Sequence, residues 1–117
     1  MNPDESRNEL GVVRMHKNAV SSLASIAALE IEGVKRIGAS FKANLFELFG
    51  QKSFLAIKVD ITRNEEIKMD IPLVIKYGYN IPETCARVQE NVRLALEKMS
   101  NFSVKDVNVN VKGIERG

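Results

Sequence analysis

A chain of 117 residues, 44% of them hydrophobic, has apolar material for one core and is too short for two ordinary domains. Its 17 basic and 15 acidic side chains leave a formal charge of +2, a weak field for a protein that must neutralise several phosphates of a duplex. The single cysteine, Cys85, excludes an internal disulfide.

The first ten residues, Met1 to Leu10, hold no apolar run that would serve as a signal peptide, and no stretch reaches the roughly 18 to 20 apolar residues that span a bilayer. A reducing cytosol is the expected location, with membrane contact only peripheral or through a partner. Residues 1–9 are charged, aperiodic and contain Pro3, so they read as a flexible N-terminal tail ahead of a single domain over 10–117.

Ordered elements are expected from Gly11, with a short strand to Met15. Val20, Leu23, Ala24, Ala27 and Ile31 then recur at spacings of three and four, which predicts a helix from about Lys17 to Glu32 with one buried face. Gly33 stands where a helix exit needs a left-handed residue, and Val34 to Ile37 predicts a brief strand. In the segment from Gly38 to Gln51, Phe41, Leu45, Leu48 and Phe49 fit a short helical face, while Phe46 falls off it.

From Leu55 the period becomes two. Leu55, Ile57, Val59 and Ile61 alternate with polar residues, and Met69, Ile71, Leu73 and Ile75 repeat the pattern after the turn at Arg63-Asn64-Glu65, which predicts a β-hairpin. Charge selects its register. With Ile57 opposite Ile71, Lys58 faces Asp70 and Asp60 faces Lys68; a slip by two residues sets like charges against each other. Pro72 has no ladder donor to give, so its amide side must meet an edge or a bulge.

Asn80 followed by Glu83, with Pro82 in the first turn, marks the start of a second helix. Its apolar stripe is Cys85, Val88, Val92, Ala95, Leu96 and Met99, with Glu90 and Arg93 at ion-pairing spacing, and it ends near Ser100-Asn101. Val107, Val109 and Val111 alternate with Asn108, Asn110 and Lys112 in a final strand with one dry face. The fold class is α+β: a two-layer sandwich of one mixed, largely antiparallel sheet with two long helices packed on one face.

Chemistry-bearing motifs are sparse. Gly33-Val-Lys-Arg-Ile-Gly38-Ala39-Ser40 comes near a phosphate-binding loop, but Ala39 stands where the lysine must reach the phosphates, and the stretch follows a helix end. His16 is the sole histidine, with no convergent ligands or nucleophile in its spacing, and Cys85 sits on an apolar stripe as a small hydrophobe. No catalytic, cofactor-binding or metal site is assigned. The candidate partner-binding residues are Phe41, Lys42, Leu45, Phe46, Phe49 and Lys52, an aromatic segment flanked by lysines.

The order of elements, together with Gly11-Val-Val-Arg-Met, Ala19-Val20, Ile26-Ala27, Gly33-Val34, Lys76-Tyr77-Gly78, Ile81-Pro82, Val88-Gln89 and Val104-Lys-Asp-Val-Asn-Val-Asn-Val111, resembles the alkaline shock protein 23 family over about residues 10–115. The resemblance implies a bacterial, non-enzymatic protein without cofactors, an adaptor or scaffold in the envelope stress response. Such a protein binds protein partners at the cytoplasmic face of the membrane, self-associates, and is held there by a small membrane-anchor protein. The alternatives it leaves open are regulation of a lipid-synthesis enzyme and, from a different class, a nucleic-acid-binding module. The latter needs a basic, aromatic sheet face, whereas Lys58, Asp60, Lys68, Asp70, Asn108, Asn110 and Lys112 make a mixed one.

Overall fold

The computed structural model describes residues 17–38, 56–99 and 102–116. Helix α1 covers 17–29 and is followed by strand β1 (Val34–Ile37), the hairpin strands β2 (Lys58–Ile61) and β3 (Glu66–Lys76), helix α2 (Ile81–Met99) and strand β4 (Ser103–Glu115). The expected strand over Gly11–Met15, His16 and the segment carrying Phe41, Lys42, Leu45, Phe46, Phe49 and Lys52 lie outside the described residues.

Strand β3 is the centre of a four-stranded mixed sheet: β1 and β2 pair with it antiparallel, β4 parallel. A strand has two edges, and β4 occupies one from Glu66 to Lys76. The other is therefore shared end to end, with β2 along Ile67–Asp70 and β1 along Leu73–Ile75. The hairpin register is the one that charge selects, Lys58 opposite Asp70 and Asp60 opposite Lys68. The parallel return through α2 follows from the chain's need to cross over the sheet before β4 can run alongside β3.

The proline in this central strand is tolerated because of the break between β1 and β2. Gly38 donates its N–H to the Pro72 carbonyl at 2.8 Å, so Pro72 turns its backbone polar side toward that edge. N–H and C=O of one strand residue point the same way, and the missing donor thus falls at the gap between the two short strands. The position is an interruption in the neighbouring edge, not an outer edge strand.

Both helices cover one face of the sheet. Val20, Ala24, Ala27 and Ala28 of α1, Val88, Val92 and Leu96 of α2, and Ile67, Met69, Ile71, Leu73 and Ile75 of β3 form a single buried cluster. Val107, Val109 and Val111 pack against it from β4, as does Cys85, whose thiol burial pushes above its ordinary value. Such a thiol stays protonated at neutral pH and packs as a hydrophobe. Two expectations need correction. The first helix stops at residue 29, with a turn over 30–33, and Met99, the last residue of α2 and beyond its last buried position Leu96, is 68% exposed.

The helix ends explain themselves chemically. Asn80 accepts the Glu83 N–H on its side-chain oxygen at 2.9 Å, as the cap spacing requires, while the Glu83 carboxylate turns outward to Arg87. At the exit of α1, Gly33 has φ +103, and a Cβ there would lie 2.8 Å from the Tyr79 ring. The described part of the near phosphate-loop is thus a close-packed turn residue, Gly33, leading into strand β1. Tyr79 has its phenol pushed up, by desolvation first and then by the hydrogen-bonded Glu32 carboxylate.

These contacts yield two expected outcomes. Gly33→Ala should cost clearly more than Gly78→Ala, whose φ of +97 carries a conformational cost of about 1–2 kcal/mol but whose added methyl meets nothing within 4 Å. Equal denaturation midpoints for the two would remove the Tyr79 contact as a cause. Ile71→Ala, at a fully buried site, should cost about 2–5 kcal/mol, whereas Lys112→Ala on the exposed side should change stability by less than about 0.5 kcal/mol.

Candidate interaction surface

The sheet face opposite the helices is built by the alternate residues of the core strands. Lys58 and Asp60 from β2, Lys68 and Asp70 from β3, and Asp106 and Asn108 from β4 line an open depression of about 300 Å³. Register brings them together: Asp60, Lys68 and Asp106 form one cross-strand row, and Lys58, Asp70 and Asn108 the next. Pro72 and Asn110 follow. Each row carries both signs, and two lysines against three aspartates give no positive field for a phosphate backbone. No aromatic ring stands among these lining residues to stack a base. The surface is suited to a partner that presents its own pattern of charges and amides.

One end of this face is closed. Arg36 of β1 reaches across β3 to Glu115 of β4 with both guanidinium nitrogens, at 3.0 and 2.5 Å, and the two side chains are only about one-fifth exposed. Arg36 is opposite Val74 in register and Glu115 opposite Lys76, so the pair crosses β3 on the open side. Val74 lies on that side, outside the helix-covered cluster, and is nevertheless fully buried. A bidentate pair between the two outer strands also fixes their separation.

Strand β4 forms the long border of the surface. It runs for 13 residues, and among the described residues no strand pairs with its outer edge. Gln89 of α2 donates its side-chain amide to the Val107 carbonyl at 2.9 Å. A shallow groove of about 380 Å³ follows this border between α2 and β4, with Gln89, Glu90, Arg93, Lys105 and Asp106 in its lining. Asn91, on the flank of the α2 stripe, ties the two helices together by donating to the Ala27 carbonyl at 2.7 Å and to Glu30 at 3.2 Å.

The sequence reading located the Lys58, Asp60, Lys68 and Asp70 rows through the hairpin register, and the polar positions of β4 through alternation. It missed the Arg36–Glu115 clasp and the roles of Gln89 and Asn91, for which only isolated polar residues beside apolar stripes gave a signal. The partner-binding candidates Phe41, Lys42, Leu45, Phe46, Phe49 and Lys52 lie outside the described residues, between β1 and β2 in chain order. Among the described residues no three acidic, histidine or cysteine side chains gather as a metal site, and no helix is long and apolar enough to cross a membrane.

The rows can be tested thermodynamically. Reversing Lys58 or Asp70 alone should cost stability that the double exchange returns, with a coupling of about 0.2–1 kcal/mol in a double-mutant cycle. Zero coupling would contradict their facing positions.

Comparison with known proteins agrees with this architecture. The chain is 32% identical over 113 residues to the uncharacterized protein YqhY of Bacillus subtilis (strain 168), covering 96% of this chain and 83% of that protein. It is 23% identical over 112 residues to YloU of the same organism, covering 94% and 93%. Among solved structures, a variant of MamM CTD superposes with a TM-score of 0.53 at 15% identity, covering 85% of this chain and 96% of that one, a likeness of fold alone. The model of the alkaline shock protein 23 family, described as having a cell envelope-related function, matches residues 5–116, and with nearly the whole chain matched this protein belongs to that family.

Proposed function

We propose that the protein is a non-enzymatic adaptor or scaffold of the cell envelope that binds protein partners near the cytoplasmic face of the membrane. The observation that carries this reading is the sheet face opposite the helices. It is a broad, shallow mosaic of paired charges and amides, bordered by a long strand, on a chain whose family is cell envelope-related. Specific protein interfaces use such alternation to fix register and exclude wrong partners more than to gain raw affinity. A membrane-anchored protein with a complementary cytoplasmic segment is the partner this reading calls for.

The segment with Phe41, Lys42, Leu45, Phe46, Phe49 and Lys52 is proposed as a second docking element, on the grounds of its aromatic and basic composition. In chain order it lies between β1, which ends at Ile37, and β2, which begins at Lys58.

The test is affinity recovery from the native cell with cross-linking, comparing the wild type with the Lys58→Asp/Asp70→Lys exchange. That variant keeps opposite charges facing each other, so its melting temperature should stay within about 2 °C of the wild type, consistent with a stability change under about 0.5 kcal/mol. A stoichiometric envelope partner should be recovered with the wild type and lost with the exchange. Recovery of the same partner by both would show that the open face does not dock it. A lipid-synthesis enzyme as the stoichiometric partner would replace the envelope reading with a regulatory one.

A further inference from the structure

The outer edge of β4 is self-complementary about Val109, and we infer that two copies of this chain pair antiparallel along it, across a two-fold axis through Val109. The inference goes beyond partner docking on the open face and stands or falls separately from it.

The direction of the backbone groups comes first. Ser103 donates its N–H to Glu65, and the Glu115 carbonyl accepts from Tyr77, so both ends of β4 face β3. Two bulges, one at Lys105 and one at Lys112, interrupt the ladder, and between them Asp106 to Val111 pair with Lys68 to Leu73 without a break. Within that window the Val107 carbonyl takes its hydrogen bond from the exposed Gln89, a side chain of the covering helix and not a group of β3. Val107, Val109 and Val111 therefore turn their N–H and C=O outward, while Asp106, Asn108 and Asn110 turn theirs to β3. A regular edge of this kind is a template for another strand.

Side chains then choose the occupant and the register. Two copies that continue one sheet must set open-face residues against open-face residues, and helix-side valines against valines. With the axis at Val109, Asp106 faces Lys112 of the second copy, and the reciprocal pair forms by symmetry. Asn108 faces Asn110, and Val107 faces Val111. Moving the axis to Asn108 sets Asp106 against Asn110, and moving it to Asn110 sets Lys112 against Asn108, so neither charge finds its opposite. Axes at Asp106 or Lys112 set like charges together. Only the Val109 register satisfies both charges, and it makes Val109–Val109 and both Val107–Val111 pairs hydrogen-bonded.

This pairing keeps both helix layers on one side and both charged faces on the other, doubling the surface offered to a partner. Gln89 acts as a guard. Its amide occupies the Val107 carbonyl that the second copy's Val111 N–H would use, so dimerisation competes with that contact.

The test is sedimentation velocity of the full chain over a concentration series, with melting temperatures as a control for folding. Asp106→Lys and Lys112→Asp should each weaken self-association at least tenfold. An equimolar mixture of the two should recover wild-type affinity within about threefold as a heterodimer, because both lysines of the first variant then face aspartates of the second. Gln89→Ala should tighten the dimer. The inference is overturned by a wild type that stays monomeric to millimolar concentration, by single reversals that leave the dimer unchanged, or by a mixture that fails to recover.

Discussion

Strand β3 is paired along both edges, carries the most deeply buried side chains of the sheet, and places every other described element. Ile67, Met69, Ile71, Leu73 and Ile75 point to the helices, and each is at most 2% exposed. The residues between them carry the open face. One strand thus has to satisfy two solvents, and the period of two is what lets it do so. The ladder with β4 on one side, and with β1 and β2 on the other, absorbs its backbone groups except at Pro72, where the neighbouring edge is interrupted and no donor is missed. The helices add apolar area to one face only, leaving the other for charge.

That division explains why the functional reading rests on a surface. Among the described residues, several groups that could do chemistry are engaged in holding the fold: Glu83 and Arg87, Glu90 and Arg93 pair along α2, Arg36 and Glu115 clasp the sheet end, and burial pushes the Cys85 thiol up. What remains outward is a set of opposed charges in fixed register. Such a pattern gives little affinity by itself and much selectivity, because a shifted partner meets like charges. Membership of a cell envelope-related family gives that selectivity a setting.

Much of this was legible in the sequence because the signals were local. The alternation in β2, β3 and β4 needs only neighbouring residues to be read, and the hairpin register follows from four charges close in the chain. Asn80 and Gly33 mark helix ends by their own conformational chemistry. The features that escaped depend on contacts between distant segments. Arg36 and Glu115 are 79 residues apart, Asn91 and Ala27 are 64 apart, and nothing near either pair announces the other. The positive φ of Glu65 also escaped, since the tight turn from Thr62 to Glu66 holds a non-glycine residue where glycine is favoured. Met99 shows the converse error: a helical stripe continued by pattern past Leu96, its last buried position, to an exposed helix end.

The measurement that bears most directly on this account is residue-resolved amide hydrogen exchange on the full chain at rising protein concentration. Throughout, the amides of Ile67, Met69, Ile71, Leu73 and Ile75 should be the slowest, with Asp106, Asn108 and Asn110 protected beside them. Val107, Val109 and Val111 should exchange freely when dilute and become protected as concentration rises, in step with the sedimentation of a dimer. Protection of those three valines at every concentration would mean the edge is already occupied within one chain, and fast exchange in β3 would remove the strand on which the whole arrangement is built.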